Sequence, residues 1–130
     1  MQLPRISIVT TCLNAEEYLE ETLLSVIDQG YPNLEYIVID GGSSDRSPQI
    51  IQRYSNRISR VFLEPGDEGF YHSLNRGFSV ATGDILGWLN ADDLLHRRSL
   101  FTVGEVFSSF QDVEWITGIP TTIDVNGRFF

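Results

Sequence analysis

Leu34–Glu35–Tyr36–Ile37–Val38–Ile39 runs directly into Asp40–Gly41–Gly42–Ser43–Ser44–Asp45, an apolar, β-branched stretch closed by a polar glycine and serine turn. A short run with almost no polar interruption reads as a strand covered on both faces, the signature of a parallel sheet. Upstream, Ile6–Ser7–Ile8–Val9–Thr10 repeats that signature. Between the two runs, Tyr18, Leu19, Leu23, Val26 and Ile27 recur at helical spacing within Ala15–Gln29, and Glu16, Glu17, Glu20 and Glu21 gather toward its positive N-terminal end. Asn14 reads as the N-cap of that helix, and Gly30–Tyr31–Pro32–Asn33 as its stop and turn. The product is a strand–helix–strand unit.

The same grammar continues downstream. A short helix is expected through Ile50, Ile51 and Tyr54, a strand at Ile58–Leu63, a helix through Tyr71, Leu74, Phe78 and Val80, and a strand at Asp84–Leu89. Beyond Asn90–Ala91–Asp92–Asp93, Arg97–Phe110 reads as a helix, Val113–Thr117 as a strand and Asn126–Gly127 as a hairpin turn. Strands alternating with helices predict an α/β fold with an open, mostly parallel sheet and helices on both faces, Rossmann-like in type. In such a sheet ligands bind outside the carboxyl ends of the strands.

Composition narrows the chemistry. The chain has 130 residues with a formal charge of −9, and all nine basic residues are Arg. Without Lys, neither a Walker-type phosphate loop nor a Schiff-base lysine is available. An acidic chain of this kind is a poor polyanion binder, so no nucleic-acid partner is expected. One cysteine, Cys12, allows no internal disulfide and fits a reducing compartment; the location expected is cytoplasmic, the inner face of the membrane included. No apolar run reaches the roughly 20 residues of a membrane helix, so no transmembrane segment is expected.

Three polar clusters fall at expected strand ends: Thr10–Asn14, Asp40–Asp45 and Asn90–Asp93. The first lacks G-x-G-x-x-G, which argues against a dinucleotide. Asp40, beside two glycines, is suited to accept a hydrogen bond from a base imide or a ribose. The plainer alternative is a helix-entry turn capped by Ser44 or Asp45. Asp92 and Asp93 offer hard oxygen ligands for magnesium or manganese shared with substrate phosphates, against the alternative that one of them caps a helix beginning near Leu94. His72 and Arg76, four apart, share a helix face. Cys12 has no obvious base nearby and reads as a buried, inert thiol; Arg53, Arg57 and Arg60 read as a solvated face.

Taken in series, Ile6–Asn14 (ISIVTTCLN), Glu35–Asp45 (EYIVIDGGSSD), Asp67–Gly77 (DEGFYHSLNRG) and Ala81–Asp93 (ATGDILGWLNADD) resemble the family-2 glycosyltransferases of GT-A fold. The resemblance implies inverting transfer of a sugar from a nucleoside diphosphate donor, commonly UDP-linked, with a divalent metal, manganese or magnesium. By that likeness Thr11 and Leu13 border the base, Asp40 bonds the uracil edge, Gly42 and Ser43 shape the same pocket, and Asp67 and Asn75 match polar positions of the donor site. The Asp-x-Asp motif of the family falls on Asn90–Ala91–Asp92, so Asp92 ligates the metal, Asp93 assists and Asn90 faces the nucleotide. Two departures stand out: Asn90 replaces the first acid, and Leu13 stands where an aromatic residue is frequent. The partners implied are a nucleotide sugar and an acceptor glycan or lipid-linked sugar. Family members carry the general base well beyond the Asp-x-Asp segment, so residues 1–130 are expected to be the nucleotide-sugar-binding part of a fold truncated at Phe130, with no catalytic base assigned among them. A noncatalytic nucleotide-sugar-binding module and a nucleotidyltransferase are the alternatives.

Overall fold

The computed structural model describes residues 2–66 and 68–129. Strand β1 (Ile6–Cys12), helix α1 (Leu19–Ile27), strand β2 (Leu34–Asp40), helix α2 (Ser47–Arg53), strand β3 (Arg60–Leu63), helix α3 (Phe70–Val80), strand β4 (Ile85–Trp88) and helix α4 (Ser99–Ser109) follow in chain order. The four strands form one parallel sheet in the order β3-β2-β1-β4. The two continuous apolar runs occupy its centre, in register from Ile6 opposite Leu34 to Cys12 opposite Asp40.

Alternate residues of the central strands feed two cores. Ile6, Ile8, Cys12, Tyr36 and Val38 pack with Leu19, Leu23 and Val26 of α1, Ile50 and Ile51 of α2, and Leu100 of α4. Val9, Ile37 and Ile39 face the other way, onto Leu74 of α3. Helix α3 approaches closely because Gly77 has no side chain: a Cβ there would lie 2.4 Å from Cγ1 of Val9. Helices therefore cover both faces, as the strand pattern requires.

Three details depart from the sequence reading. Asn14 is not a helix cap: it adopts a left-handed φ of 50°, and α1 begins only at Leu19, with Tyr18 at its N-cap position and no side-chain cap bond. The Asn14 carboxamide is engaged by the neighbouring loop instead. Val113–Thr117 forms no strand, because β4 is the edge of the sheet and no further described strand lies beyond it; Trp115 instead rests against Trp88, ring centroids 6.4 Å apart. Arg53, Arg57 and Arg60 are solvent-exposed, as expected, and are paired as well: Arg53 and Arg57 reach Glu20 and Asp28, each at 2.7 Å, and Arg60 lies 3.7 Å from Glu35. Finally, α4 begins at Ser99, behind Arg98, so neither Asp92 nor Asp93 caps it. The Asn126–Gly127 turn is present, flanked by an antiparallel bridge between Ile123 and Phe129.

Candidate functional site

A cleft of about 770 Å³ opens at the carboxyl edge of the sheet, lined by Thr11, Cys12, Leu13, Asn14, Ala15, Glu17, Tyr18, Gly41, Phe70, Ser73, Asn90, Ala91 and Asp92. The ends of β1, β2 and β4 meet there, where three polar clusters were expected to converge.

The β1–α1 and β2–α2 loops are stitched together by hydrogen bonds. The Asn14 N–H donates to Ser43 Oγ at 2.8 Å, and the Ser44 N–H returns a bond to Asn14 Oδ1 at 2.8 Å. Ala15 and Glu16 donate their N–H groups to Ser47 Oγ and Asp45 Oδ2, each at 3.0 Å, while Arg46 donates from both N–H and Nε to Glu16 Oε2 at 2.9 Å. Asn tolerates the left-handed backbone better than most residues, which lets residue 14 turn into this junction. Asp45 is not the N-cap of α2, a position held by Arg46 with no side-chain cap bond, but its Oδ1 accepts the Ser47 N–H at 2.8 Å in the turn that enters the helix. Burial alone pushes its carboxyl upward, but the bonds from Ser47 and Glu16 outweigh that and hold it below the usual aspartate range.

Asp40 ends β2 between two cleft residues, Cys12 across the strand and Gly41 next in the chain. Only 2% of it is exposed. Its Oδ1 accepts the N–H groups of Gly42 and Ser43 at 3.0 and 2.8 Å, fixing the turn. Its Oδ2 is buried and has no hydrogen-bond partner among the described residues. Buried polar atoms are nearly always paired, so an orphan oxygen next to two cleft residues calls for an explanation. Gly42 makes the arrangement possible: its φ is +96°, and a Cβ would sit 2.8 Å from the Gly66 backbone nitrogen of the β3–α3 loop.

On the far side of the cleft, the β4 end alternates. Ala91 is buried, whereas Asn90 and Asp92 are exposed and line the opening. Asp93 is also exposed, and its Oδ2 accepts Asn90 Nδ2 at 3.3 Å. Among the described residues no group of three or more His, Cys, Asp and Glu side chains could enclose a metal. Two exposed carboxylates are nevertheless the usual protein share of a magnesium or manganese site, phosphates and water supplying the rest.

Of the residues expected to form a site, Thr11, Leu13, Asn90 and Asp92 line the cleft. Asp40, Gly42 and Ser43 form the turn beneath and beside it, and Asp93 flanks Asp92. Asn75 is exposed on α3 and does not line the cleft; Asp67 lies outside the described residues. His72 pairs with Glu68 at 2.9 Å, and the Arg76 guanidinium lies 4.8 Å above the Phe62 ring and pairs with Glu64, so neither is a cleft residue. Burial, above all, raises the Cys12 thiol to about 11, the Asp40 charge adding to it, and leaves it the inert neutral group expected.

Sequence reasoning missed Glu17, Tyr18, Phe70 and Ser73. Tyr18 was assigned to the apolar face of the helix, but it precedes α1, 41% exposed. Its hydroxyl is held above the usual tyrosine range, first by a hydrogen bond to Glu17 and further by the Glu17 charge, burial and the Asp92 charge. An aromatic residue followed by a helix start beside a run of acids was the available signal.

A parallel α/β sheet with a cleft at its carboxyl edge, Asp92 in the lining and Asp40 in the adjoining turn, has the arrangement in which such sheets bind ligands. Residues 7–113 match the model of glycosyl transferase family 2, and the chain belongs to that family. An uncharacterized glycosyltransferase of Haemophilus influenzae is 39% identical over 102 residues, 77% of this chain and 41% of the relative. The structure of Staphylococcus aureus TarS 1–349 in complex with UDP-GlcNAc aligns with a TM-score of 0.76 at 25% identity, over 82% of this chain and 32% of that one. The mannosyltransferase PcManGT of Pyrobaculum calidifontis, in complex with GDP-Man and Mn2+, aligns with a TM-score of 0.72 at 27% identity, over 82% and 33%. The fold is the GT-A type of these glycosyltransferases. The chain spans less than half the length of each.

Proposed function

We propose that the cleft binds a nucleoside diphosphate sugar, a UDP-sugar by first choice, and that the chain is the donor-binding part of an inverting, metal-dependent glycosyltransferase. The observation that carries this reading is the orphan Asp40 oxygen in the turn next to the cleft residues Cys12 and Gly41, together with Asp92 in the cleft lining itself. A carboxylate only accepts, so Asp40 suits a base that presents an N–H, such as the ring N–H of uracil, thymine or guanine. Thr11 and Leu13 border the base, Gly42 and Ser43 shape the turn beside it, and Asn90 faces the nucleotide. The donors crystallised with the two relatives, UDP-GlcNAc and GDP-Man, both carry bases with such an N–H.

Asp92, with Asp93 beside it, is the pair that fits a divalent cation. Bound there with the diphosphate, manganese or magnesium stabilises the charge of the leaving group as a Lewis acid. The absence of Lys and the acidity of the chain leave few protein cations for that task. The acceptor, a glycan or lipid-linked sugar, and the general base that deprotonates its hydroxyl belong to the part of the relatives' length that this chain does not span. Among the described residues no helix is long and apolar enough to cross a membrane.

Thermal unfolding with nucleotides tests the reading. UDP with manganese at 100 times its dissociation constant is expected to stabilise the native state by about 2.7 kcal/mol, and Asp92→Asn to abolish the metal-dependent part. If UDP, GDP and dTDP all leave the melting curve unmoved with manganese present, the donor-site reading is wrong. Robust sugar transfer by these 130 residues alone would overturn the placement of the base elsewhere.

A further inference from the structure

The Asn90–Asp92 rim has little regular structure of its own: between Trp88 and Ser99 the backbone forms only turns and extended stretches. Its backbone groups are instead held by one face of α1. Thr22, with no exposed surface, donates its hydroxyl to the Ala91 carbonyl at 2.9 Å. Ser25 Oγ accepts the Leu95 N–H at 3.1 Å. Gln29 donates from Nε2 to the His96 carbonyl at 2.9 Å and accepts the Leu100 N–H on Oε1 at 3.3 Å. Thr22 and Ser25, three apart, share one face of α1, and Gln29 follows in the turn just past its C-cap Asp28, continuing the polar stripe. The entry to the same helix is bonded to the β2–α2 loop through Ala15 and Glu16. One rigid element thus carries both the Asp40 side and the Asp92 side of the cleft.

We infer that the Thr22–Ser25–Gln29 stripe is the positioning device for the metal and diphosphate half of the site, with Thr22 its principal residue. Thr22 touches no ligand; it fixes the Ala91 carbonyl, and through it the neighbouring Asn90 and Asp92, relative to the base end. The metal role of Asp92 in this inference rests on the function proposed above, whereas the clamp itself does not.

The test compares Thr22→Val, which keeps the shape and removes the hydroxyl, with Thr22→Ser, which restores it. Three quantities are measured: the manganese midpoint at saturating UDP, the UDP midpoint without metal, and amide exchange of residues 91–96 without any ligand. Thr22→Val is expected to raise the manganese midpoint about tenfold, to leave metal-free UDP binding within twofold and to speed exchange in 91–96, with Thr22→Ser close to the parent in all three. A parental manganese midpoint in Thr22→Val, or an equal loss of metal-free UDP binding, overturns the positioning role. If the parent chain shows no manganese-dependent UDP binding, the donor-site reading falls; unchanged exchange in Thr22→Val separately overturns the clamp. Should Thr22→Val not fold, Ser25→Ala at a half-buried position makes the same comparison at Leu95, with faster exchange there expected and unchanged exchange overturning it.

Discussion

Strand β2 carries two buried acids, Glu35 at its start and Asp40 at its end, each only 2% exposed. Glu35 faces the α3 side and is fully answered. Its Oε2 accepts the Ser7 hydroxyl at 2.5 Å and the Thr82 N–H at 2.7 Å, its Oε1 accepts the Thr82 hydroxyl at 3.0 Å, and Arg5 and Arg60 lie 3.5 and 3.7 Å away. Asp40 uses one oxygen for its own turn and leaves the other alone. At the amino end of the strand Glu35 is therefore satisfied by neighbouring groups, whereas the carboxyl end retains an unused acceptor where parallel sheets bind ligands. Two carboxylates of equal burial on one strand divide into a structural group and a functional candidate by whether the protein itself completes their hydrogen bonds.

The largest effect expected from breaking this contrast lies at Glu35. Glu35→Ala strips the partners from Ser7 and Thr82, and hydrogen bonds to a charged group are worth roughly 1.5–3 kcal/mol each, so unfolding free energy by urea is expected to fall by about 3 kcal/mol. UDP affinity of the folded protein is expected to stay within twofold. Burial alone would raise the Glu35 carboxyl, but the bonds from Ser7 and Thr82 and the Arg5 charge hold it below its ordinary value. A folded-state value below the unfolded one gives stability that is present above the ordinary glutamate value of about 4.3. That stability is lost as pH falls through the lower, folded value. Glu35→Gln should therefore flatten the acid limb of a stability-versus-pH curve, and an unchanged limb would remove Glu35 from the account.

The opposite pattern is expected at the other end of the strand. Asp40→Asn keeps an acceptor for Gly42 and Ser43 while replacing the spare oxygen by a donor or removing its charge, so stability should change by no more than about 1 kcal/mol. UDP affinity, read by calorimetric titration, should fall by about 2–3 kcal/mol, roughly 30- to 150-fold. Equal binding by the variant would return Asp40 to the status of a turn residue. Gly42→Ala comes next: a side chain at φ +96° and against the Gly66 backbone should cost about 1–3 kcal/mol of stability and weaken UDP binding in proportion to the displaced turn.

Why one end of the strand was legible in the sequence and the other was not follows from the same residues. The parallel sheet was written in two apolar runs whose register the structure keeps from Ile6 to Cys12, and the site was located because loops at the carboxyl ends must hold polar residues that the core does not need. Glu35 gave no such signal: a single acid at the edge of an apolar run finds its partners, Ser7 and Thr82, 28 and 47 residues away. The Asn14 cap was misread for the same reason, since Ser43 and Ser44 compete for it across the loop junction. The Val113–Thr117 segment has a strand's composition, but composition does not supply a neighbouring strand. The polar stripe of α1 was hidden because a helix was read for its apolar face, and Thr22, Ser25 and Gln29 are polar residues turned inward to hold backbone.

The smallest expected effect separates lying in the cleft from belonging to the site. Cys12 stands directly across the strand from Asp40 and lines the same opening, yet it is 4% exposed and its thiol is raised to about 11, mainly by burial. At neutral pH almost none of it is thiolate, so it has no nucleophile to offer and no charge to place against a diphosphate. Cys12→Ala should cost about 1 kcal/mol of stability through lost packing and leave UDP and manganese binding within twofold, and the parent thiol should react with iodoacetamide far more slowly than an unfolded cysteine. Rapid alkylation that UDP slows would place Cys12 at the ligand surface and move the ligand contact from Asp40 toward β1.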